Sequence, residues 1–510
     1  MRRKREVRAV HLTAALDPAR SEWDVIVLGG AAAGENAAQY ATQFSDLDAV
    51  LVEADLVGGE CSYWACMPSK GLLRPVEVLD DASHVPGVSS LVDGGELDVP
   101  AVLARRDVVV HGLSDDSQVE WALGAGIDVV RGYGRLTGER RVEVTDPSGE
   151  TRTLTARHAV VIDTGSAPAV PPVPGLREAR PWTSRDTTNL HHVPPRVVIL
   201  GGGVAACEAA TWLNGLGVAE LSLVYRDTRL LTRQEPFAGQ LVAERLESAG
   251  VRLFPGRSLT EVERHNARDT GVGWTHGGEV KVQLDDGNTL RADEIVVMAG
   301  RVPRTDDIGL ASVGITGGGF LDVDDQQTVR GATGQWLYAI GDACGRALLT
   351  HMGKYQARVA GEVIAARAAG GGDAFERGSR FSSGEGHRAV PQVTFTVPEV
   401  GSVGMTEAAA DAAGVDVETA EYDMAALAGT YVMREDYTGR AKLVIDRATD
   451  TLAGATFVGA GVAELVHSAT TAMVARLPVA EMWHVVPSYP TASEVWLRLL
   501  ETLDAGRRAA

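Results

Sequence analysis

The sequence has little cysteine, no surplus of basic charge and no long apolar run. Four cysteines in 510 residues are too few for a disulfide-stapled scaffold, so any disulfide is expected to be catalytic and the compartment a reducing cytoplasm. Lysine and arginine number 48 against 68 acidic residues, a net charge of -20. That balance works against nucleic acid or an anionic membrane as a partner and leaves only local basic clusters to hold anions. No stretch reaches the ~18 apolar residues that a membrane span needs. Residues 1–22 start basic but have no apolar core or small-residue cleavage site, and are expected to form a disordered or loosely docked extension. The remainder, 45% hydrophobic and 23% charged, is ordinary for a soluble chain of two to four domains.

Two of the four cysteines fall in one segment, GGECSYWACMPSK, which carries Cys61, Cys66 and Lys70. A pair at this spacing can close a small disulfide ring if the first thiol sits in a loop and the second starts a helix, where the helix N-terminus favours a thiolate. The alternatives are a zinc half-site or two unrelated buried thiols. Zinc needs four nitrogen or sulfur ligands, and Cys207 and Cys344 have neither a CxxC partner nor a paired histidine.

The segment DVIVLGGAAAGENAA reads as a strand, a glycine turn and a small-residue helix. In a G-x-G-x-x-G frame, Gly29 and Gly34 fill the first and third places and Ala31 the second; the next strand, AVLVE, ends in Glu53, where a ribose-hydroxyl acceptor belongs. The pattern recurs as VVILGGGVAACEAA, with Gly201 and Gly203 present and Ala206 third. Two nucleotide sites in one chain suggest an electron path between two cofactors. After the second strand, Tyr225 stands where an NAD site carries an acid, and Arg226, Arg229 and Arg233 follow. An acid would repel a 2′-phosphate and a guanidinium would pair with it, so NADPH is expected over NADH. The alternative is that these arginines form a solvated turn.

VVIDTG, ending at Gly165, and the proline-rich residues after it read as a crossing between domains, and IVVMAGRVP as a strand and turn leading back out. WLYAIGD reads as a strand with Asp342 at its carboxyl end, where an acid can hold a cofactor hydroxyl or cap the next helix. The Gly- and Ser-rich stretch from Ala368 to Gly386 reads as a linker. Alternating strands from Ala389, then helical patterns in Ala463 to Ala475 and Ala492 to Leu503, suggest an α+β layer.

Together these motifs, with AGRVP, YAIGD, VTFTVPEVGSVGMTE and YPTASE, resemble the flavin-dependent pyridine nucleotide–disulfide oxidoreductases, the family of dihydrolipoamide dehydrogenase, glutathione reductase and mercuric reductase. The likeness covers about residues 22 to 505. It implies an α/β chain with two Rossmann-like dinucleotide-binding domains and a C-terminal α+β dimerisation domain. The expected division is an extension over 1–22, an FAD domain over 23–170 and 301–370, an NAD(P) domain over 171–300, a linker over 371–387 and a dimerisation domain over 388–510. It further implies FAD against Gly29, Gly30, Gly34, Glu53, Gly59, Lys70, Gly165 and Asp342, and NADPH against Gly201, Gly203, Arg226, Arg229 and Gly300. Cys66 would be the thiol against the flavin, giving a thiolate charge-transfer band, and Cys61 the interchange thiol facing the substrate. Lys70 and Glu208 match the family's pair beside the flavin ring. No resident metal is implied.

The chain departs from the family where VPSYPTASE has Tyr489 in place of the usual histidine before Pro-Thr, while Glu494 is retained. A phenol with a pKa near ~10 shuttles protons poorly at neutral pH. His467 and His484 are not at the matching position. Tyrosine there is similar to mercuric reductase, but the tail ETLDAGRRAA has no paired cysteines and no N-terminal metal-binding module is expected. Tyr63 and Trp64 differ from the family's small and apolar filling; either they shape a pocket for a flat acceptor such as a quinone, or they pack the ring. The expectation is an NADPH-dependent FAD oxidoreductase acting on a disulfide or other small acceptor through Cys61 and Cys66, as a homodimer. The alternatives are a mercuric, metal-ion or quinone reductase and, from another class, a redox sensor or complex component with little turnover.

Overall fold

The computed structural model describes residues 20–316, 318–371 and 378–509. The expected N-terminal extension, up to residue 19, and residues 372–377 of the expected linker lie outside the described residues. The described residues divide into two compact units, one drawn from residues 20–61, 111–167 and 303–384, the other from residues 62–110, 168–302 and 385–509.

The first unit is built on a sheet whose strands Ile127–Arg131, Ala49–Glu53, Glu22–Leu28, Thr151–Ile162 and Leu337–Ala339 run parallel, continued at one edge by an antiparallel pair, Arg141–Thr145 and Tyr133–Gly138. The central strand reads WDVIVL because a parallel strand is covered on both faces; Val25, Ile26 and Val27 have no exposure. Helices Ala32–Thr42 and Thr350–Ala368 pack closely. A Cβ on Gly361 would lie 2.7 Å from the Tyr40 Cβ and 2.8 Å from the Ala37 carbonyl oxygen, which is why small residues line both surfaces.

In the second unit the parallel sheet Arg252–Pro255, Glu220–Tyr225, Arg196–Leu200 and Glu294–Val297 carries the second fingerprint. An antiparallel sheet, Leu259–Arg264, Val280–Leu284 and Thr289–Ala292, follows from it. The C-terminal part has five antiparallel strands, from Pro391–Thr394 to Thr451–Gly459, with helices Leu465–Ala475 and Val495–Ala509. This is the expected α/β chain with an α+β C-terminal layer.

Two expected elements differ. The strand read over WLYAIGD is only Leu337–Ala339, because Gly341 takes φ +62 and opens a 3-10 turn, Gly341–Cys344, that contains Asp342. The last helix begins as a 3-10 turn over Ala492–Glu494 and runs on to Ala509. Among the described residues no helix is long and apolar enough to cross a membrane.

Candidate active site

Cys61 lies in a one-turn helix, Gly59–Tyr63, rather than in the expected loop; Cys66 is the first residue of the helix Cys66–Ser83, as the spacing predicts. Both sulfur-bearing side chains are half-buried. Start of an 18-residue helix, Cys66 meets the positive end of its macrodipole, which favours a thiolate. The other two thiols are held protonated by burial: Cys207 is pushed well above its ordinary range and Cys344 up to about 11.

One turn after Cys66, Lys70 donates from Nζ to Glu208 Oε2 at 2.8 Å. Glu208 comes from the helix Val204–Gly215 that follows the second fingerprint, and its side chain is only 6% exposed. Its other oxygen, Oε1, accepts from the Phe395 backbone N–H at 2.9 Å, and the Lys70 ammonium lies 4.6 Å from the Phe395 ring centroid. A carboxylate this buried is tolerated because both of its oxygens are bonded, one of them to a cation. Beside the pair opens a cleft of about 560 Å³ whose lining includes Lys70, Met67, Arg105, Phe395 and Glu399. Sequence reasoning found Lys70 and Glu208 but not Phe395, whose bond to Glu208 is made by its backbone amide and leaves no residue-type signal.

In the first unit the fingerprint folds tightly. Gly29 has φ +104, and a Cβ there would lie 2.1 Å from the Asp163 carbonyl oxygen; one on Gly34 would lie 2.1 Å from the Gly29 oxygen. The Gly30 N–H donates to Glu53 Oε2 and the Asp55 N–H to Glu53 Oε1, each at 2.7 Å, so Glu53 is aimed by the glycine turn and by its own loop. Burial raises its carboxyl above the ordinary value. Gly59 takes φ +61 and would, with a Cβ, meet that of Ala31 at 2.6 Å; Gly165 lies in the turn after Thr164; Asp342 accepts from the Ser166 hydroxyl.

Asp163, the first letter of DTG, was missed as a functional residue. Its Oδ2 accepts from the Gly34 N–H at 2.6 Å, and burial, with Asp342, Glu53 and Glu35 nearby, raises its carboxyl well above the ordinary range. An acid at the end of a strand that otherwise reads as wholly buried was the available signal. The cradle fits FAD: Gly29, Gly34 and Gly59 admit no side chain, Glu53 stands at the end of the strand that follows the glycine turn and its helix, and two buried polar atoms, Glu35 Oε1 and Thr164 Oγ1, have no hydrogen-bond partner among the described residues.

Burial pushes the Glu35 carboxyl from 4.5 up to about 7, against the pull of Lys354 and with the push of Glu53. The folded chain therefore holds this proton more tightly than the unfolded one. The contribution is complete below pH 4.5 and is lost as the pH rises through about 7, a cost of roughly 2–3 kcal/mol at pH 8. Glu35→Gln is expected to raise Tm by a few degrees at pH 8 and to leave it nearly unchanged at pH 4.5, as thermal melts across that range will report. An equal rise at both pH values would assign the effect to something other than titration.

In the second unit, Gly203 caps the helix Val204–Gly215, a Cβ on Gly201 would lie 2.4 Å from the Met298 oxygen, and the Gly300 carbonyl accepts from the Ala169 N–H. Tyr225 is buried under this turn: a Cβ on Gly202 would lie 2.9 Å from the Tyr225 Cβ. Of the expected arginines, Arg226 and Arg233 are exposed, whereas Arg229 donates to the carbonyls of Leu231, Thr232 and Gln234. Arg229 thus braces its own loop.

Tyr489 is 75% exposed. Glu494 is 6% exposed; its Oε1 accepts from Arg498 at 2.6 Å, and its Oε2 is buried with no partner among the described residues. His467 and His484 are both exposed. Tyr63 and Trp64 are 0% and 8% exposed, which favours the packing reading of that pair. Among the described residues no group of three or more His, Cys, Asp or Glu is placed to hold a metal ion.

Residues 23–368 match the family described as pyridine nucleotide-disulphide oxidoreductase, and residues 390–499 match its dimerisation domain. The chain is similar to a dihydrolipoyl dehydrogenase of Chlorobaculum tepidum, 30% identical over 484 residues covering 94% of this chain and 96% of the relative. It is also similar to a mercuric reductase of Staphylococcus aureus, 27% identical over 473 residues covering 93% of this chain and 81% of the relative. Its fold matches that of the Cu(II) complex of HOCl-induced flavoprotein disulfide reductase RclA from Escherichia coli, with a TM-score of 0.78 at 22% identity over 94% of this chain and 99% of the other. The chain belongs to the pyridine nucleotide-disulphide oxidoreductase family: it is an FAD-dependent oxidoreductase fed by a reduced pyridine nucleotide, with a dimerisation domain that supports a homodimer.

Proposed function

We propose that the enzyme is an NADPH-dependent cytoplasmic reductase in which electrons leave through a Cys61–Cys66 redox pair to a disulfide or another small acceptor. The observation that carries this reading is the placement of Cys66 at a helix start with Lys70, one turn on, held by Glu208. Gly29, Gly30, Gly34, Glu53, Gly59, Lys70, Gly165 and Asp342 would hold FAD, which when bound would supply two-electron transfer between the pyridine nucleotide and the disulfide. Lys70 places a positive charge where negative charge develops on reduction, and Glu208 keeps that ammonium in one position. Cys66 stays as the enclosed thiolate, and Cys61, the sulfur nearer the acceptor, performs the exchange.

For the pyridine nucleotide, Gly201, Gly203 and Gly300 shape the loop and Arg226 meets the 2′-phosphate. Arg229 supports this indirectly, since its guanidinium is committed to carbonyls. A charge-assisted pair contributes about 1.5–3 kcal/mol, so Arg226→Ala is expected to lower kcat/KM for NADPH roughly 10- to 100-fold and to leave NADH nearly unchanged. Preference of the unsubstituted enzyme for NADH in kcat/KM would sink the assignment.

A second reading, reduction of a metal ion or quinone, is favoured by the exposure of Tyr489, which stands where the family carries an imidazole, and by a buried Glu494 oxygen with no partner among the described residues. Such acceptors need no proton delivered to a leaving thiolate. Anaerobic reduction with NADPH followed by a panel of disulfides, quinones and metal ions separates the two. Turnover confined to metal ions or quinones selects the second reading, and FAD-loaded enzyme that turns over none of them is a sensor or complex component.

A further inference from the structure

We propose that Asn189 and Thr188 are positioning residues that clamp the peptide between the two redox cysteines and thereby make the Cys61–Cys66 couple more reducing. The inference rests on the redox-pair reading above. The Asn189 amide nitrogen donates to the Tyr63 carbonyl at 3.1 Å, and the Thr188 hydroxyl lies 3.1 Å from the Trp64 carbonyl. Those are the two middle peptides of the segment between Cys61 and Cys66. The Thr188 proton is shared with the Ser184 carbonyl at 2.9 Å, and the two Asn189 amide protons also face the Arg185 carbonyl and Thr188 Oγ1, each at 3.1 Å; with two protons against one, Asn189 is the principal donor and Thr188 the auxiliary one. Asn189 is 6% and Thr188 2% exposed, and water does not substitute for either bond.

The clamp is itself anchored. Arg106, 2% exposed, donates to the Thr188 carbonyl and, at 2.9 Å, to the Leu190 carbonyl. The short helix Ser184–Thr188 is fixed at its start by Asp186, which accepts from the Thr183 N–H at 2.9 Å. Arg185 lies 4.9 Å from the Trp64 ring centroid, so the side chain as well as the backbone of Trp64 is held from this helix. None of these partners belongs to the segment between the cysteines.

Reduction breaks the S–S bond with two electrons, supplied by the pyridine nucleotide through FAD, and two protons from solvent give the dithiol; a Cys66 that stays ionised returns one. Whether the disulfide reforms depends on how close the two sulfurs remain. A loop whose middle peptides are bonded to a separate, braced helix keeps its shape after the bond opens. The two thiols then retain a high effective concentration, the disulfide is favoured and the reduction potential is lowered. In a loop without the clamp the opened thiols spread apart and the potential rises.

The test is a redox titration of the holoenzyme, following the thiol couple by alkylation of Cys61 and Cys66 at fixed potentials and by the long-wavelength band of the two-electron-reduced form. Asn189→Leu, close in shape, and Thr188→Val each remove a donor; Thr188→Ser keeps the hydroxyl. Loss of about tenfold in effective concentration moves a two-electron couple by about 30 mV, so Asn189→Leu is expected to raise the potential by about that amount. Thr188→Val is expected to raise it less, and Thr188→Ser to leave it at the unsubstituted value. A merely structural role would lower Tm without moving the potential. An unmoved or lowered potential in Asn189→Leu, with the couple present, overturns the clamp alone. Absence of any dithiol couple in the unsubstituted enzyme overturns the redox-pair reading and the clamp with it.

Discussion

Serine in place of Cys66 is expected to abolish the long-wavelength absorbance of the two-electron-reduced enzyme and to cut acceptor reduction roughly a thousandfold or more, since neither a disulfide nor a sulfur at the helix start remains. Serine in place of Cys61 is expected to cause a similar loss of turnover while keeping the band, because the Cys66 thiolate at the helix start survives. The two spectra therefore distinguish the enclosed sulfur from the interchange sulfur, and FAD content measured in the oxidised proteins guards against a folding defect. Persistence of the band in Cys66→Ser would show that the thiolate had been assigned to the wrong residue. Full turnover in Cys61→Ser would remove the pair from the electron path and favour direct reduction of the acceptor.

Tyr489→His is expected to increase kcat with small organic disulfides by about 100-fold, the lower end of what a positioned acid–base group contributes. The acid that the family resemblance pairs with an imidazole is retained: Glu494 is held by Arg498 through one oxygen, and its other oxygen has no partner among the described residues. The gain is expected to appear with a pH dependence near the ordinary histidine value of ~6.5 and to shrink when Glu494→Gln is added. Turnover with metal ions should be nearly indifferent to either change. If Tyr489→His gives no gain with any disulfide while Cys61 remains essential, proton delivery is not what Tyr489 limits.

Much of this site was legible because its parts are tied to local pattern. A strand, a glycine turn and a small-residue helix are consecutive in sequence, so both fingerprints and the acid Glu53 could be placed. Cys61, Cys66 and Lys70 lie within a span of ten residues and could be read as a unit. Glu208 needed the family resemblance, since an acid in a helix is otherwise unremarked. What stayed hidden depends on contacts between distant segments. Asn189 and Thr188 act on Tyr63 and Trp64, more than a hundred residues away, and nothing in TSRDTTNL announces that. Arg229 shows the converse: its position and charge suit a phosphate, but its guanidinium is used on nearby carbonyls, and side-chain direction is not encoded in residue type. Asp163 shows the limit of hydropathy, because its neighbours so dominate the strand that the acid reads as its end.

The two oxygens of Glu208 face in different directions along the chain, one to Lys70 in the redox helix and one to the amide of Phe395, inside the segment that matches the dimerisation domain. The Lys70 ammonium, proposed above to serve the flavin, is thus referenced to backbone that a modular view of the family would assign to assembly alone. Grafting the C-terminal domain of a relative onto this enzyme would have to reproduce the peptide orientation at residue 395 to within hydrogen-bonding distance, or the graft would dimerise and still leave Glu208 half-satisfied and Lys70 adrift. Inheritance of the last domain and inheritance of the electron-transfer chemistry are therefore not separable at that junction.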